Sequence, residues 1–186
     1  MNDNEPSRLV SECIAGNQAA IESLVRQYET GVFRLALSIV GDEADANEIT
    51  QETFIAALKS LRTYQDKKSF KAWLYTIALN FSRSHLRKRK IIERLRTTVG
   101  VIFQVEKQKQ ASPEDAVIRT ENEAAIWAEL NKLDERHRTV VVLRYFHELS
   151  ISEISEIMEV NEGTIHSRLH TARERLRNTL HSMHGE

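Results

Sequence analysis

With a single cysteine, Cys13, in 186 residues, the chain can form no internal disulfide, which suits a reducing compartment such as the cytoplasm. Proline occurs twice and glycine six times, and β-branched runs are scarce. Helix breakers and strand formers are both too few for a loop-rich or all-β chain, so an all-α fold is expected. No apolar run approaches the roughly 20 residues that span a bilayer, and the polar opening MNDNEPS lacks the pattern of a secretory signal, so no membrane insertion is expected. Excess charge of one sign is missing too: 26 basic residues stand against 27 acidic ones, a formal charge of −1. The protein is therefore no basic coat for nucleic acid, and affinity for DNA has to come from local patches. Catalytic patterns are missing as well. There is no glycine-rich phosphate loop, nucleophile elbow or triad spacing. His166 and His170, like His181 and His184, have helical spacing, but no glutamate lies between the first pair and no cysteine is near. They read as surface histidines, and no catalytic residue, metal or cofactor is expected.

What is present centres on Ser150 to Arg177. Ser150 with Glu153 forms a capping box, and Ile151, Ile154, Ile157 and Met158 follow at helical spacing. Glu159-Val160-Asn161 is short enough to be a turn, with Asn161 capping the next helix. There Ile165, Leu169, Ala172 and Leu176 share one face, while Gly163, Ser167 and His170 lie opposite with His166 and Thr171 beside them. Arg168 and Arg175 occupy one flank and Arg173 the other. This is the pattern of a helix-turn-helix whose second helix offers short polar groups to base edges and arginines to phosphates. Thr164, at the start of that helix, joins the candidate contacts.

In chain order, a short helix is expected over Ser7–Ala15 and a second after Asn17, with Ile21, Leu24, Val25 and Tyr28 inward. A third segment, Thr30–Val40, ends at Gly41. Asp42 opens a fourth helix to about Leu61. Asp45, Glu48 and Glu52 share one of its faces and Ala46, Ile49, Thr53 and Ala57 another, so an acidic stripe flanked by Gln51 and Ile55 could dock on a basic partner. After a polar loop holding Tyr64, Ser69 caps a fifth helix running through Lys90. From Arg83 to Arg96 seven basic residues face one acidic residue, Glu93, a net of +6 and the main electrostatic footprint for phosphate. Aromatic residues upstream of it suit contact with unstacked bases, although Phe70 reads as core. Ile91–Ala111 has no clean period and reads as a linker containing the apolar patch Val99–Phe103. Ser112-Pro113-Glu114-Asp115 restarts a helix. Asp134 caps the next one, where Val140, Val141, Leu143 and Phe146 pack. The expected organisation is two small helical domains, 1–92 and 112–186, with 93–111 between them.

Four stretches in order resemble an extracytoplasmic-function sigma factor, the minimal class of the bacterial sigma-70 family. DEADANEITQETFIAAL (42–58) is similar to the core-binding helix of sigma region two. SFKAWLYTIALNFSRSHLRKRK (69–90) is similar to the part that melts and reads the minus-ten element. LDERHRTVVVLRYFHELSISEISEIM (133–158) and NEGTIHSRLHTARERLR (161–177) are similar to sigma region four. The resemblance implies that Glu48, Gln51 and Glu52, with Asn47 and Ile55, contact the clamp helices of core RNA polymerase. It implies that the loop from Tyr64 through Gln65, Lys67 and Lys68 to Ser69 holds a flipped-out base of the melted non-template strand. Trp73 and Asn80, the latter on the face after Trp73, Tyr75 and Ile77, would meet the minus-ten strand, and Arg83, Arg87, Lys88, Arg89 and Lys90 would hold its backbone. Thr164, His166, Ser167, His170 and Thr171 would meet minus-thirty-five duplex, with Arg168, Arg173 and Arg175 on or near phosphates. An anti-sigma factor is the family's usual regulator, and the linker would lie along the polymerase.

The sequence departs from the family pattern at a few places. Glu159 stands where glycine is usual in the turn, so a differently built turn is expected. His166 and Thr171 replace more basic residues, Ser84 replaces an aspartate, and Asp134 stands where a proline often follows the leucine. Nothing after Arg177 suggests a further domain. The rival reading is a conventional dimeric helix-turn-helix regulator that binds duplex DNA without polymerase.

Overall fold

A computed structural model describes residues 5–64, 69–100 and 121–183, with side chains over 8–64, 69–94 and 126–178. Every regular element among the described residues is helical: α1 (Glu5–Ile14), α2 (Gln18–Val40), α3 (Glu43–Ser60), α4 (Phe70–Gly100), α5 (Glu121–Lys132), α6 (Glu135–Val141), α7 (Ile151–Met158) and α8 (Glu162–Met183). A 3-10 turn, Leu61–Thr63, follows α3, and a π-helical turn, Val142–Phe146, follows α6.

The caps expected from sequence set the helix starts. Asn17 Oδ1 accepts from the backbone N–H of Ala19 and Ala20 at 3.1 and 3.3 Å and opens α2. Asp42 accepts from Asp45 N–H at 2.9 Å and opens α3. Gly41, at φ 72°, ends α2 in the left-handed conformation that glycine adopts most readily. The break expected near Thr30 does not occur, and α2 is one 23-residue helix. Gly31 lies within it because Tyr75 of α4 approaches so closely that a Cβ there would collide with the phenol oxygen. The glycine gives up helix propensity, about 1 kcal/mol, for a close helix crossing.

Helices α2, α3 and α4 pack on one another over Leu24, Leu35, Ile39, Ile49, Leu74 and Leu79, all essentially inaccessible. Two buried threonines on α3 are satisfied within the helix, where Thr50 and Thr53 each donate to the carbonyl four residues back at 2.7 Å. Helix α4 continues past Lys90 to Gly100, so the first part of the expected linker is helical. Val101–Phe103 and the Ser112–Asp115 restart lie outside the described residues.

In the second half, Val140, Leu143, Leu149, Ile154, Ile157 and Ile165 form the core beneath α6, α7 and α8. Asp134 caps α6 through His137 N–H at 3.2 Å. Ser150 and Glu153 form the capping box at α7, with each side chain accepting from the other's backbone N–H. Phe146, expected in this core, is 47% exposed and lies 4.9 Å from the Trp127 ring. The π-helical turn adds a residue to that turn and so rotates Phe146 off the inward face. The helix-turn-helix turn is built in the ordinary way after all, because Glu159 itself takes the left-handed conformation at φ 55° and ψ 44°. The halves are not separate: α4 packs against α7 and α2 against α6.

Candidate nucleic-acid and partner interfaces

On α3 the apolar period and the acidic stripe separate cleanly. Ala46, Ile49, Thr50, Thr53, Phe54 and Ala57 are buried, whereas Asn47, Glu48, Gln51, Glu52 and Ile55 are all exposed. Ile55, at 53% exposure, is a large apolar side chain in water beside two carboxylates, a combination suited to a partner with apolar and basic groups. Asp45 leaves the stripe. Its Oδ2 lies 3.2 Å from His85 Nε2 and 3.9 Å from Arg89 Nη1, so it ties α3 to α4.

Next to it, an aromatic cluster closes the first half. Tyr64 meets Phe70 edge-on at 5.4 Å and lies 5.4 Å from Trp73, and Tyr28 lies 5.2 Å from Phe70. Phe70 is core at 3% exposure, as its position in the sequence suggested. Tyr64 and Trp73 are only half-buried and keep a face toward solvent. Gln65, Lys67 and Lys68 fall outside the described residues. Further along α4, Asn80, Arg87, Lys88, Arg89 and Lys90 are exposed, so the basic footprint is a real surface.

Tyr75, two residues after Trp73, turns inward and is 2% exposed. Two residues along a helix rotate a side chain by about 200°, which takes it to the opposite side from Trp73. Burial, with a smaller contribution from Tyr28, pushes its hydroxyl up to about 12, so it remains protonated. Arg83 is also redirected. Its Nε donates to Glu135 Oε1 of α6 at 2.9 Å, and both side chains are half-buried.

Helix α8 begins where Asn161 Oδ1 accepts from Thr164 N–H at 2.8 Å and from its hydroxyl at 2.9 Å, so the Thr164 hydroxyl serves the cap. His166, Ser167 and His170 are exposed together, while Thr171 and Arg168 are half-buried. Burial first, then the charges of Arg136 and Arg83, lowers the Arg168 guanidinium from its ordinary value. Arg173 Nε donates to the Tyr145 hydroxyl at 2.9 Å, and Arg175 Nη1 donates to Asp134 Oδ2 at 3.0 Å. Two of the three expected phosphate arginines thus also brace α8 against the π-helical turn and the start of α6.

Sequence patterns gave no sign of the joint between the halves. Lys71 Nζ donates to the His147 carbonyl at 3.0 Å, the Tyr75 hydroxyl lies 3.2 Å from His147 Nδ1, and Arg138 Nη2 donates to the Ile39 carbonyl at 2.9 Å. The His147 and Tyr75 rings meet edge-on at 5.1 Å. Burial, reinforced by the positive charges of Lys71 and Arg34, lowers the His147 imidazole to about 4, so it is neutral here.

With this geometry in hand, comparisons with known proteins are informative. Residues 24–91 match the family model for sigma-70 region 2, and residues 130–178 match that for sigma-70 region 4. The chain is 34% identical over 173 residues to the ECF RNA polymerase sigma factor SigW of Bacillus subtilis, covering 90% of this chain and 92% of that one. It is 30% identical over 185 residues to the RNA polymerase sigma-H factor of Pseudomonas aeruginosa, covering 97% and 96%. Among solved structures, CnrH in complex with the cytosolic domain of CnrY superposes with a TM-score of 0.69 at 26% identity, covering 94% of this chain and 96% of that chain. The sigma factor RpoE of Bartonella quintana, in complex with the anti-sigma factor NepR, shares the fold at 23% identity with a TM-score of 0.67, covering 86% and 95%.

Proposed function

The chain belongs to the sigma-70 family, in its extracytoplasmic-function class, and on that premise we propose how its two halves divide the work of starting transcription. It is an alternative sigma factor directing transcription, and the dimeric-regulator reading is not favoured. Residues 1–92 engage core polymerase and the minus-ten element, 112–186 engage the minus-thirty-five element, and 93–111, whose first part is helical, connect them. The outward stripe of α3, with Asn47, Glu48, Gln51, Glu52 and Ile55, meets the polymerase. The open side of Tyr64 and Trp73, the loop residues Gln65, Lys67 and Lys68, and Asn80 accept the melted strand. Arg87, Lys88, Arg89 and Lys90, with Arg83 once it is released from Glu135, run along its backbone. Base capture costs a few kcal/mol of unstacking, which aromatic stacking offsets.

On α8, His166, Ser167 and His170 read bases in the major groove, with Thr164 and Thr171 at their margin, and Arg168, Arg173 and Arg175 reach phosphates. The protein itself catalyses no reaction and works in the cytoplasm, where its polymerase is. A relative's structure with an anti-sigma factor supports a regulator of that kind here.

The observation that carries this reading is that α3 exposes Asn47, Glu48, Gln51, Glu52 and Ile55 while burying the opposite face. Gel shifts and run-off transcription on genomic promoter fragments, with the protein alone, core polymerase alone and both, test it. A melted, specific complex is expected only with both. Glu48→Lys with Glu52→Lys should abolish core binding and leave the helical circular dichroism unchanged. A palindromic site bound tightly by the protein alone would instead indicate an ordinary regulator.

A further inference from the structure

Of the three arginines of α8 expected near phosphates, one is held differently from the others. Arg175 donates to the Asp134 carboxylate, which offsets its charge within the protein. Arg168 is half-buried. Arg173 is exposed, and its Nε donates at 2.9 Å to the hydroxyl of Tyr145, a neutral group. Its guanidinium carbon lies 5.9 Å from the centre of the Tyr145 ring, within reach of the ring's quadrupole. The tyrosine therefore orients the guanidinium without cancelling its charge.

The pair keeps hydrogen-bond donors in reserve. Arginine carries five N–H donors in a rigid fork, and Tyr145 takes only the one on Nε. The two Nη nitrogens, which pair with phosphate oxygens two at a time, remain for a ligand. A tyrosine hydroxyl has one donor and two lone pairs. Because it accepts from Arg173, its own proton is left to donate, and Tyr145 is 52% exposed. Two sets of open donors thus stand next to each other at the surface. Their place on α8 suits a backbone phosphate. Arg173 follows His170 by three residues and His166 by seven, roughly 4.5 and 10.5 Å along the axis, and it lies on the flank of the face that they share. A helix in a major groove has a sugar-phosphate strand along such a flank. Tyr145 comes from the π-helical turn Val142–Phe146, whose extra residue turns it outward.

We propose that Tyr145 and Arg173 form a phosphate clamp beside the reading face of α8, in which Tyr145 is a positioning residue for the Arg173 fork and a second donor to the same phosphate. The inference rests on assigning α8 to the minus-thirty-five duplex. It adds to the DNA-binding set a residue that lies before the helix-turn-helix. A fork held in advance loses less side-chain freedom on binding. A phosphate contact carries no base information, so the clamp sets the register of α8 on the duplex while His166, Ser167 and His170 face the bases.

The test uses polymerase reconstituted with the full chain, on a promoter fragment that it melts. Methylphosphonate linkages, each removing one backbone charge, are placed singly through the minus-thirty-five duplex. One of them should weaken binding several-fold. Tyr145→Phe keeps the ring and loses the hydroxyl. It should weaken binding about two- to tenfold, the worth of one hydrogen bond, with core binding and helical circular dichroism unchanged. Arg173→Ala should lower the slope of log affinity against log salt by about 1, whereas Tyr145→Phe, which removes no charge, should leave the slope as it is. The loss from Tyr145→Phe should vanish on the duplex with the critical linkage and shrink when Arg173 is already alanine. A tyrosine that served the fold alone would cost the same on every duplex and in both backgrounds, and that result overturns the clamp. So does a Tyr145→Phe protein that binds like the natural sequence while the minus-thirty-five bases still matter. If the promoter is melted but neither those bases nor their phosphates affect binding, the assignment of α8 itself fails and the clamp falls with it.

Discussion

Arg175, near the end of the reading face of α8, donates to the same Asp134 carboxylate that caps α6. Burial alone would raise the Asp134 carboxyl, but hydrogen bonds from His137 and Arg175 outweigh it and hold it at about 2. One side chain thus both caps α6 and holds α8 through Arg175. Asp134→Ala is expected to lower stability by about 1 kcal/mol through the lost cap and to weaken minus-thirty-five binding beyond the fraction unfolded. Urea denaturation beside a footprint of the reconstituted polymerase separates the two effects. A footprint unchanged at equal folded fraction would show that Arg175 needs no anchor.

Gly31 and Tyr75 give a second expectation. A methyl group at position 31 would push the phenol away from His147. Gly31→Ala should cost about 1–3 kcal/mol by overpacking and should loosen the joint selectively. Amide exchange in α7 would quicken more than exchange in the α3 core. Uniform acceleration across both halves would mean that the collision is absorbed elsewhere.

The buried imidazole sets a pH dependence. In the unfolded chain His147 titrates near 6.5, and in the folded protein it stays neutral to about 4. Its folded pKa is the lower one, so between those values the unfolded chain binds the extra proton. Stability from this group is complete above about pH 6.5 and falls as pH drops toward 4, by at most about 3 kcal/mol. The other groups facing the ring are Lys71, Arg34 and Tyr75, with Tyr28 behind, and the phenols stay neutral throughout this window because burial raises them. The urea midpoint of His147→Gln should fall less steeply between pH 6.5 and 4 than that of the natural sequence. Parallel slopes would place the titration elsewhere.

Glu159 holds a conformation that glycine adopts freely. Glu159→Gly should raise stability by about 0.5–1 kcal/mol, the relief of left-handed strain less the added freedom of the unfolded chain. A urea midpoint that does not rise would show that the exposed glutamate gains something from its surroundings to compensate.

Local signals in this sequence were legible where the cause is local. Asn17, Asp42, Asp134, Ser150 and Asn161 each cap as their spacing implied, because a cap involves residues at most four apart. The faces of α3 and α8 followed from helical period, except at Asp45, which turns to α4. The failures have non-local causes. Continuity of α2 through Gly31 depends on a tyrosine in another helix. Phe146 left the core because a π-helical turn carries no sequence mark. The pairing of Arg83 with Glu135 could not be read because the two lie 52 residues apart.

Helix α3 keeps its packing face and the stripe proposed to meet polymerase on opposite sides. The residues that hold it in the fold, Ile49, Thr53, Phe54 and Ala57, share no position with those that face outward. Mutations can therefore accumulate on the outer stripe with little effect on folding, and on the proposed assignment competition among sigma factors for one polymerase would be tuned there by single substitutions. If α3 docks on polymerase as proposed, the same separation makes it a convenient place to rewire: exchanging five exposed side chains, Asn47, Glu48, Gln51, Glu52 and Ile55, would redirect the protein toward a foreign polymerase while its promoter preference travelled with it unchanged.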